Sequence, residues 1–428
     1  MLASCYTSLG KITIFGTSAM ARSVLCLWCC FSLVFIYTSV HGSPEQHSDS
    51  EDRENRMKAL SDVNNDFAFR LYKSIVSGAQ SQNVFFSPLS VSTALAALSL
   101  GAGGETHQQL LSGLGFNSSV FTGEEIHQAF LDLLENLNQR TGVDLNVGTA
   151  LYVNDTFKPQ PEFLENVRRF YLSNGFSVDF TKSKETSNQM NEYVSEKTHG
   201  KITKFIKDLD SRTLMYMLSY IYFKGKWSIP FDPKYTREVK FYVDTETTVP
   251  VQMMQEANYF YIYFDPKLST SVLRLDYNDS FSMILALSND LSVLQEALRP
   301  HHIVAWNRLM SKRKYIIRLP KLSLETSYSL INILTGIGMK DMFTDKANFT
   351  GITDEEISVS EVVHKATLDV DEVGTTATAL TIVRFTARTG PRILNFNKPF
   401  MIFIIDQKTK NILFMGKIVN PQKSEITE

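Results

Sequence analysis

The sequence predicts an α+β fold in one large domain, and three observations carry that reading. Helical and strand-like stretches alternate irregularly along the chain. The 428 residues exceed the size at which a single core usually stops growing, yet no proline- or glycine-rich linker divides them. Near the C-terminus, two runs patterned as buried strands, Ile357–Val370 and Phe400–Ile405, flank a polar connection, Glu372–Pro399, that is too long for an ordinary loop.

Taken in order, the chain opens with a targeting segment. Arg22 precedes an apolar run, Val24–Tyr37, that ends at Val40-His41-Gly42, the pattern of a signal peptide covering residues 1–42, with Met20 as an alternative initiator. Secretion to the extracellular space follows from that reading. A membrane anchor is the competing one, because the run nearly spans a bilayer. All four cysteines, Cys5, Cys26, Cys29 and Cys30, lie in or before this segment, so the mature chain carries none and relies on its core. No metal or cofactor is expected, since Cys29-Cys30 would leave with the signal. Residues 43–57 are polar and mostly acidic without apolar periodicity, and read as a disordered tail ahead of a domain at 58–428. A formal net charge of −2 points to neither nucleic acid nor an anionic membrane surface as a partner.

Asp62 or Asn64 is placed to cap a helix carrying Phe67, Leu71 and Ile75 at spacing four, and Ser87-Pro88 opens another in the N-cap-then-proline manner. Glu124–Gln139 is a third helix, apolar at Ile126, Phe130, Leu133, Leu134 and Leu137, with Glu124, Glu125, Asp132 and Glu135 assigned to its solvent face. Strand patterns follow near Val153, Phe176–Phe180, Leu214–Phe223 and Val251–Met254. Four sequons, at Asn117, Asn154, Asn278 and Asn348, are candidate N-glycan sites in a secreted chain. A basic cluster, Arg308, Lys312, Arg313, Lys314 and Arg318 with His301 and His302 before it, is a candidate glycosaminoglycan site. The plainer reading is a helix with Trp306 and Leu309 on its core face and the charges in water.

No Gly-x-Ser-x-Gly elbow or His-Glu-x-x-His site is present, so a hydrolase is not indicated. The long connection instead begins with small and β-branched residues. Alternation places Thr375, Ala377, Ala379 and Thr381 on one face of a potential strand, each small enough to slide under a packed layer. Beyond them lie Arg384, Arg388 and Arg392, targets for a trypsin-like protease.

At these residues the chain resembles the serpins, most closely the antitrypsin-like branch of secreted serine protease inhibitors. Glu372-x-Gly374-Thr375-x-Ala377 is similar to their hinge, and Phe396–Phe400 with Phe414–Pro421 to their C-terminal signature. The similarity extends upstream to Asn83–Ser90, Gly101–Thr106 and Phe223–Trp227. The resemblance implies helices around a large mixed central β-sheet, further sheets and an exposed reactive-centre loop. It implies a scissile bond fourteen residues beyond the hinge glycine, at Arg388–Thr389, with Arg384 and Arg392 as rivals. The hinge would comprise Glu372, Gly374, Thr375, Thr376, Ala377, Thr378 and Ala379, with Thr376 standing where glutamate is usual. His364 is expected in the core with Ser87, Ser90 and Ser219, the last where asparagine is common. Glu372 is expected in an exposed ion pair with Lys321 close to Trp227. The implied partners are trypsin-like serine proteases of the extracellular space, plasma above all, with a cofactor protein or glycosaminoglycan in addition and the inhibitor itself a monomer. The acidic Glu124–Gln139 helix argues against the heparin site that some serpins place there. A ligand- or hormone-carrying serpin, or an inhibitor resembling the protein Z-dependent one, is the alternative.

Overall fold

A computed structural model describes residues 44–79, 81–117, 121–203, 206, 209–372, 392–422 and 425–427. Within them the strands are β1 (Val84–Phe86), β2 (Val143–Asn154), β3 (Asn174–Val178), β4 (Met215–Gly225), β5 (Arg237–Tyr242), β6 (Thr248–Asp265), β7 (Thr270–Asp276) and β8 (Phe281–Ser288). They continue as β9 (Ser311–Pro320), β10 (Leu322–Ser329), β11 (Glu361–Val370), β12 (Arg392–Asn395), β13 (Phe400–Asp406), β14 (Ile412–Ile418) and β15 (Glu425–Thr427). Among the described residues these form a six-stranded sheet, β15-β10-β11-β4-β2-β3, and a nine-stranded one, β1-β14-β13-β8-β7-β6-β9-β12 with β5 on β6. Parallel and antiparallel pairs mix in both, as the α+β reading requires.

The sequence explains the layering. β13 and β14 are buried at every position, which is why both read as continuous apolar runs without alternation. The helix Pro88–Ser99 is buried throughout and built of Ala, Ser, Leu and Val, small enough to lie against β4 and β14. Ser87 caps it, its Oγ accepting from Ser90 N–H, with Pro88 in the first turn. The helix Gly123–Asn138 begins on a Thr122/Glu125 capping box and buries Ile126, Phe130, Leu133, Leu134 and Leu137.

Four local expectations are corrected. The stretch read as a disordered acidic tail is helical from Pro44, in one helix that runs to Gly78. Its proline and carboxylates favour the N-terminal end of a helix, and Asp52 lies four residues before Arg56, a spacing that supports a helix without any apolar periodicity. Asp62 and Asn64 therefore sit inside that helix and cap nothing; Asn64 is buried and donates to Asn411 Oδ1 at 3.3 Å. Asp132, assigned to the solvent face, is buried and paired with Arg56 at 2.8 Å. Leu309, assigned to the core face of its helix, is 49% exposed because the helix ends there and the chain turns into β9.

Candidate functional site: a closed strand seam and its clasp

β4 and β11 are parallel neighbours in the six-stranded sheet, with Ser219 directly opposite His364. The chain leaves β11 for residues 373–391 and re-enters at β12 in the other sheet, so the long connection joins the two sheets. A strand turning back from the end of β11 would run antiparallel to β11 and, because β4 is parallel to β11, antiparallel to β4 as well. In the seam between them such a strand would pair antiparallel with both neighbours and satisfy its backbone on both sides.

At mid-seam the four residues singled out from the sequence meet. His364, Ser219, Ser87 and Ser90 are each 0% exposed. The backbone N–H of Ser87 donates to His364 Nε2 at 3.0 Å. An amide can only donate, so Nε2 is the acceptor and the neutral ring carries its proton on Nδ1. Nδ1 lies 3.2 Å from Ser219 Oγ and 3.4 Å from Ser90 Oγ. The chain of donors then closes: Nδ1–H to Ser219, Ser219 to Ser90 Oγ at 3.1 Å, and Ser90 to the Ser87 carbonyl at 3.4 Å. Burial holds the imidazole down to about pKa 3, against a smaller opposing contribution from Ser219. The ring proton and the Ser219 and Ser90 hydroxyl protons are all placed, which suits a locked core network rather than a general base. Ser219, standing where asparagine is common in the family, reaches Nδ1 because register sets it opposite His364.

At the upper end Glu372 leaves β11 beside Lys321, which follows β9. Their ion pair measures 2.6 Å, and Thr236 Oγ1 donates to the other carboxylate oxygen at 2.7 Å. The pair is not the exposed one expected: the Glu372 side chain is 8% exposed while Lys321 is 41% exposed. The backbone covers the acid, for Phe231 N–H donates to the Glu372 carbonyl at 2.8 Å and Trp227 Nε1 to the Asp371 carbonyl at 2.9 Å. Trp227 is itself pinned by stacking on Tyr277 at 4.1 Å. Burial raises the Glu372 carboxyl's pKa, but the hydrogen bonds from Lys321 and Thr236 outweigh it and leave the group below its ordinary value. Thr236 and Phe231 were not foreseen; they lie over a hundred residues from Glu372 with no local signal of the contact.

The remaining candidates separate. The hinge residues Gly374, Thr375, Thr376, Ala377, Thr378 and Ala379 and the scissile pair Arg388–Thr389 lie outside the described residues. Asn117 and Asn278 are exposed, whereas Asn154 and Asn348 are half-buried, each accepting from the hydroxyl of its own sequon threonine at 2.9 Å. The basic cluster is not a helix face: Arg308 is on the helix Pro300–Leu309, but Lys312, Arg313, Lys314 and Arg318 are on β9, where alternation divides Arg313 from the others. Among the described residues no group of His, Cys, Asp and Glu could hold a metal ion, and no helix is long and apolar enough to cross a membrane.

The family model for serpins, serine protease inhibitors, matches residues 62–421. The chain belongs to the serpin family. Among curated relatives, the serine protease inhibitor A3L of Rattus norvegicus is 41% identical over 390 residues, 89% of this chain and 93% of that one. The structure of human thyroxine-binding globulin with thyroxine aligns with a TM-score of 0.82 at 33% identity, over 86% of this chain and all of that one. Mouse protein Z-dependent protease inhibitor aligns at 0.80 and 26% identity, over 86% of this serpin and all of that chain. The fold and the antitrypsin-like resemblance expected from the motifs therefore hold.

Proposed function

We propose that this serpin is a secreted suicide-substrate inhibitor of trypsin-like serine proteases, cut at Arg388–Thr389. The observation that carries the reading is the closed, parallel β4–β11 seam at the base of a connection whose first residues are small. The protease serine attacks the Arg388 carbonyl, the peptide bond breaks, the Thr389 amine leaves with a proton, and an acyl-enzyme forms. The freed Gly374–Ala379 hinge then turns back into the seam. Thr375–Arg388 spans roughly 46 Å when extended, at ~3.3 Å per residue, against roughly 33 Å for the ten residues of β11. Full insertion therefore carries the tethered enzyme past the far end of β11, and the pull distorts its oxyanion hole before water deacylates it.

The exposed sequons Asn117 and Asn278 are the ones we assign to glycans, and the inhibitor acts as an extracellular monomer. Lys312 and Lys314, on one face of β9, are the best placed of the basic cluster for a glycosaminoglycan. Similarity to thyroxine-binding globulin favours a second reading, a ligand carrier that keeps the fold without trapping a protease. Mixing the purified protein with trypsin separates them: a covalent band on a denaturing gel, with a released fragment beginning at Thr389, is the inhibitory outcome. Clean cleavage with no band leaves the carrier. A fragment beginning at Phe385 or Ile393 moves the bond to a rival arginine.

A further inference from the structure

The β4–β11 seam divides the six-stranded sheet into two halves that meet the nine-stranded sheet differently. β10 follows β9 through Lys321 alone, and it is bonded to β1: Thr326 Oγ1 donates to the Phe85 carbonyl at 2.7 Å, and Phe85 N–H donates to Tyr328 Oη at 3.2 Å. The β10–β11 half is thus fastened to the larger sheet. The β3–β2–β4 half meets that sheet at the turn between β7 and β8. β2 begins where β4 ends, with Val143 opposite Gly225. Asn278 N–H donates to the carbonyl of Lys226, one residue beyond β4, at 2.9 Å. The neighbouring Asp279 carboxylate accepts from Thr141 N–H at 3.1 Å and Gly142 N–H at 3.4 Å, immediately ahead of β2.

The backbone is shaped to this contact. Asp279 and Ser280 are left-handed, at φ 58° and 67°, a conformation that costs a residue with a side chain and turns the carboxylate toward the start of β2. A Cβ on residue 142 would lie 2.7 Å from Asp279 Cβ, so the turn comes this close only because Gly142 has no side chain. Arg140, its side chain 5% exposed, lies between two carboxylates of the nine-stranded sheet. Nη1 is 3.6 Å from Asp279 Oδ1, and Nη2 is 3.7 Å from Oδ2 of the fully buried Asp406, the last residue of β13. Nη2 also donates to Asn136 Oδ1 at 2.7 Å. Groups so withdrawn from water are costly to part.

Admitting one more strand widens the seam by about 4.8 Å. With β10 and β11 fastened, β4 and β2 take up the shift, and hydrogen bonds of 3.1–3.4 Å to Thr141 and Gly142 do not survive it. We propose that Arg140 and Asp279 are positioning residues for strand insertion, a latch that holds the β3–β2–β4 half in place and must release before the seam opens. This rests on the inhibitory reading above and concerns the rate of insertion, not the bond that is cut.

The test follows a synthetic peptide copying Thr375–Arg388 as it anneals into the uncleaved protein, read as the gain in melting temperature, so that opening is measured without a protease. Asp279→Gly removes the carboxylate at a left-handed position that glycine favours, and Arg140→Gln removes the cation. Each should speed annealing about tenfold, and the double variant should fall short of the product of the two. Gly142→Ala, which displaces Asp279 with every charge retained, should act in the same direction. Thr122→Ala removes the cap of the helix Gly123–Asn138 without touching the latch, and should leave the rate unchanged. Equal annealing rates in wild type and the latch variants, rates that multiply in the double variant, or the same acceleration in Thr122→Ala would each overturn the proposal while insertion itself stands. A peptide that enters neither wild type nor variants overturns the insertion reading and the latch with it.

Discussion

At its middle the β4–β11 seam is held by His364, Ser219, Ser90 and Ser87, uncharged and sealed from water, whereas at its upper end Trp227, Phe231 and Thr236, from the chain after β4, hydrogen-bond to Asp371 and Glu372, whose carboxylate is paired from the β10 side by a partly exposed Lys321. The first device has each donor matched to an acceptor and no charge to screen. The second is charged on both sides, with the lysine in contact with solvent. A strand entering the seam must separate the first, since Ser219 and His364 are direct cross-strand partners. The contrast suggests a division of labour, in which the middle sets the cost of opening and the upper end sets when it opens.

The largest expected effect is in the middle. His364→Ala leaves the Ser87 N–H without its acceptor in a cavity, with Ser219 Oγ keeping only its bond to Ser90 Oγ, and should cost about 3–5 kcal/mol by urea unfolding. A variant within about 0.5 kcal/mol of wild type would show that the network is dispensable. Acid should expose the same residue. His364 titrates near 3 in the native state, whereas a free histidine does so near 6.5. As pH falls below about 6.5 the unfolded chain gains a proton that the native chain refuses, so stability declines by roughly 1.4 kcal/mol per unit until about pH 3. In His364→Gln that part of the slope should disappear.

The clasp should respond more weakly and in a different range. Glu372→Lys sets two cations together beneath the Trp227 backbone contact, and we expect a loss of about 1–3 kcal/mol, more than an exposed pair would give. The open end then offers unpaired strand edges to the loop of a second molecule, so mild heating should produce polymers on a native gel faster than for wild type. A depressed carboxyl contributes its stability above the ordinary carboxylate range and loses it as pH falls through the native value, so the clasp should hold down to about pH 4.5 and fail below it. Ser219→Ala should be the mildest, about 1 kcal/mol, because Ser90 Oγ stands close enough to take over the Nδ1 proton.

How far the sequence could show these regions follows from what each is made of. β13 and the helix Pro88–Ser99 announce themselves because unbroken burial and an N-cap proline leave marks in adjacent residues. The core role of His364 rested on family motifs, and only strand register made Ser219 its partner, a relation between residues 145 apart. The burial of Glu372 was invisible because Thr236, Phe231 and Trp227 arrive from a distant turn. The helical character of Pro44–Asn55 was missed for the opposite reason: charge spacing and capping preferences sustain it, and apolar periodicity reports neither.

The measurement closest to the central claim is hydrogen exchange across residues 375–388 before and after cleavage at Arg388–Thr389. If the cut loop enters the seam, the amides of Thr375–Arg388 should exchange after cleavage as slowly as those of β4 and β11, and more slowly than before it, and the cleaved protein should melt at a higher temperature than the intact one. If those amides exchange as fast after cleavage as before, no strand has been added between β4 and β11, and the trapping mechanism proposed for this serpin is wrong.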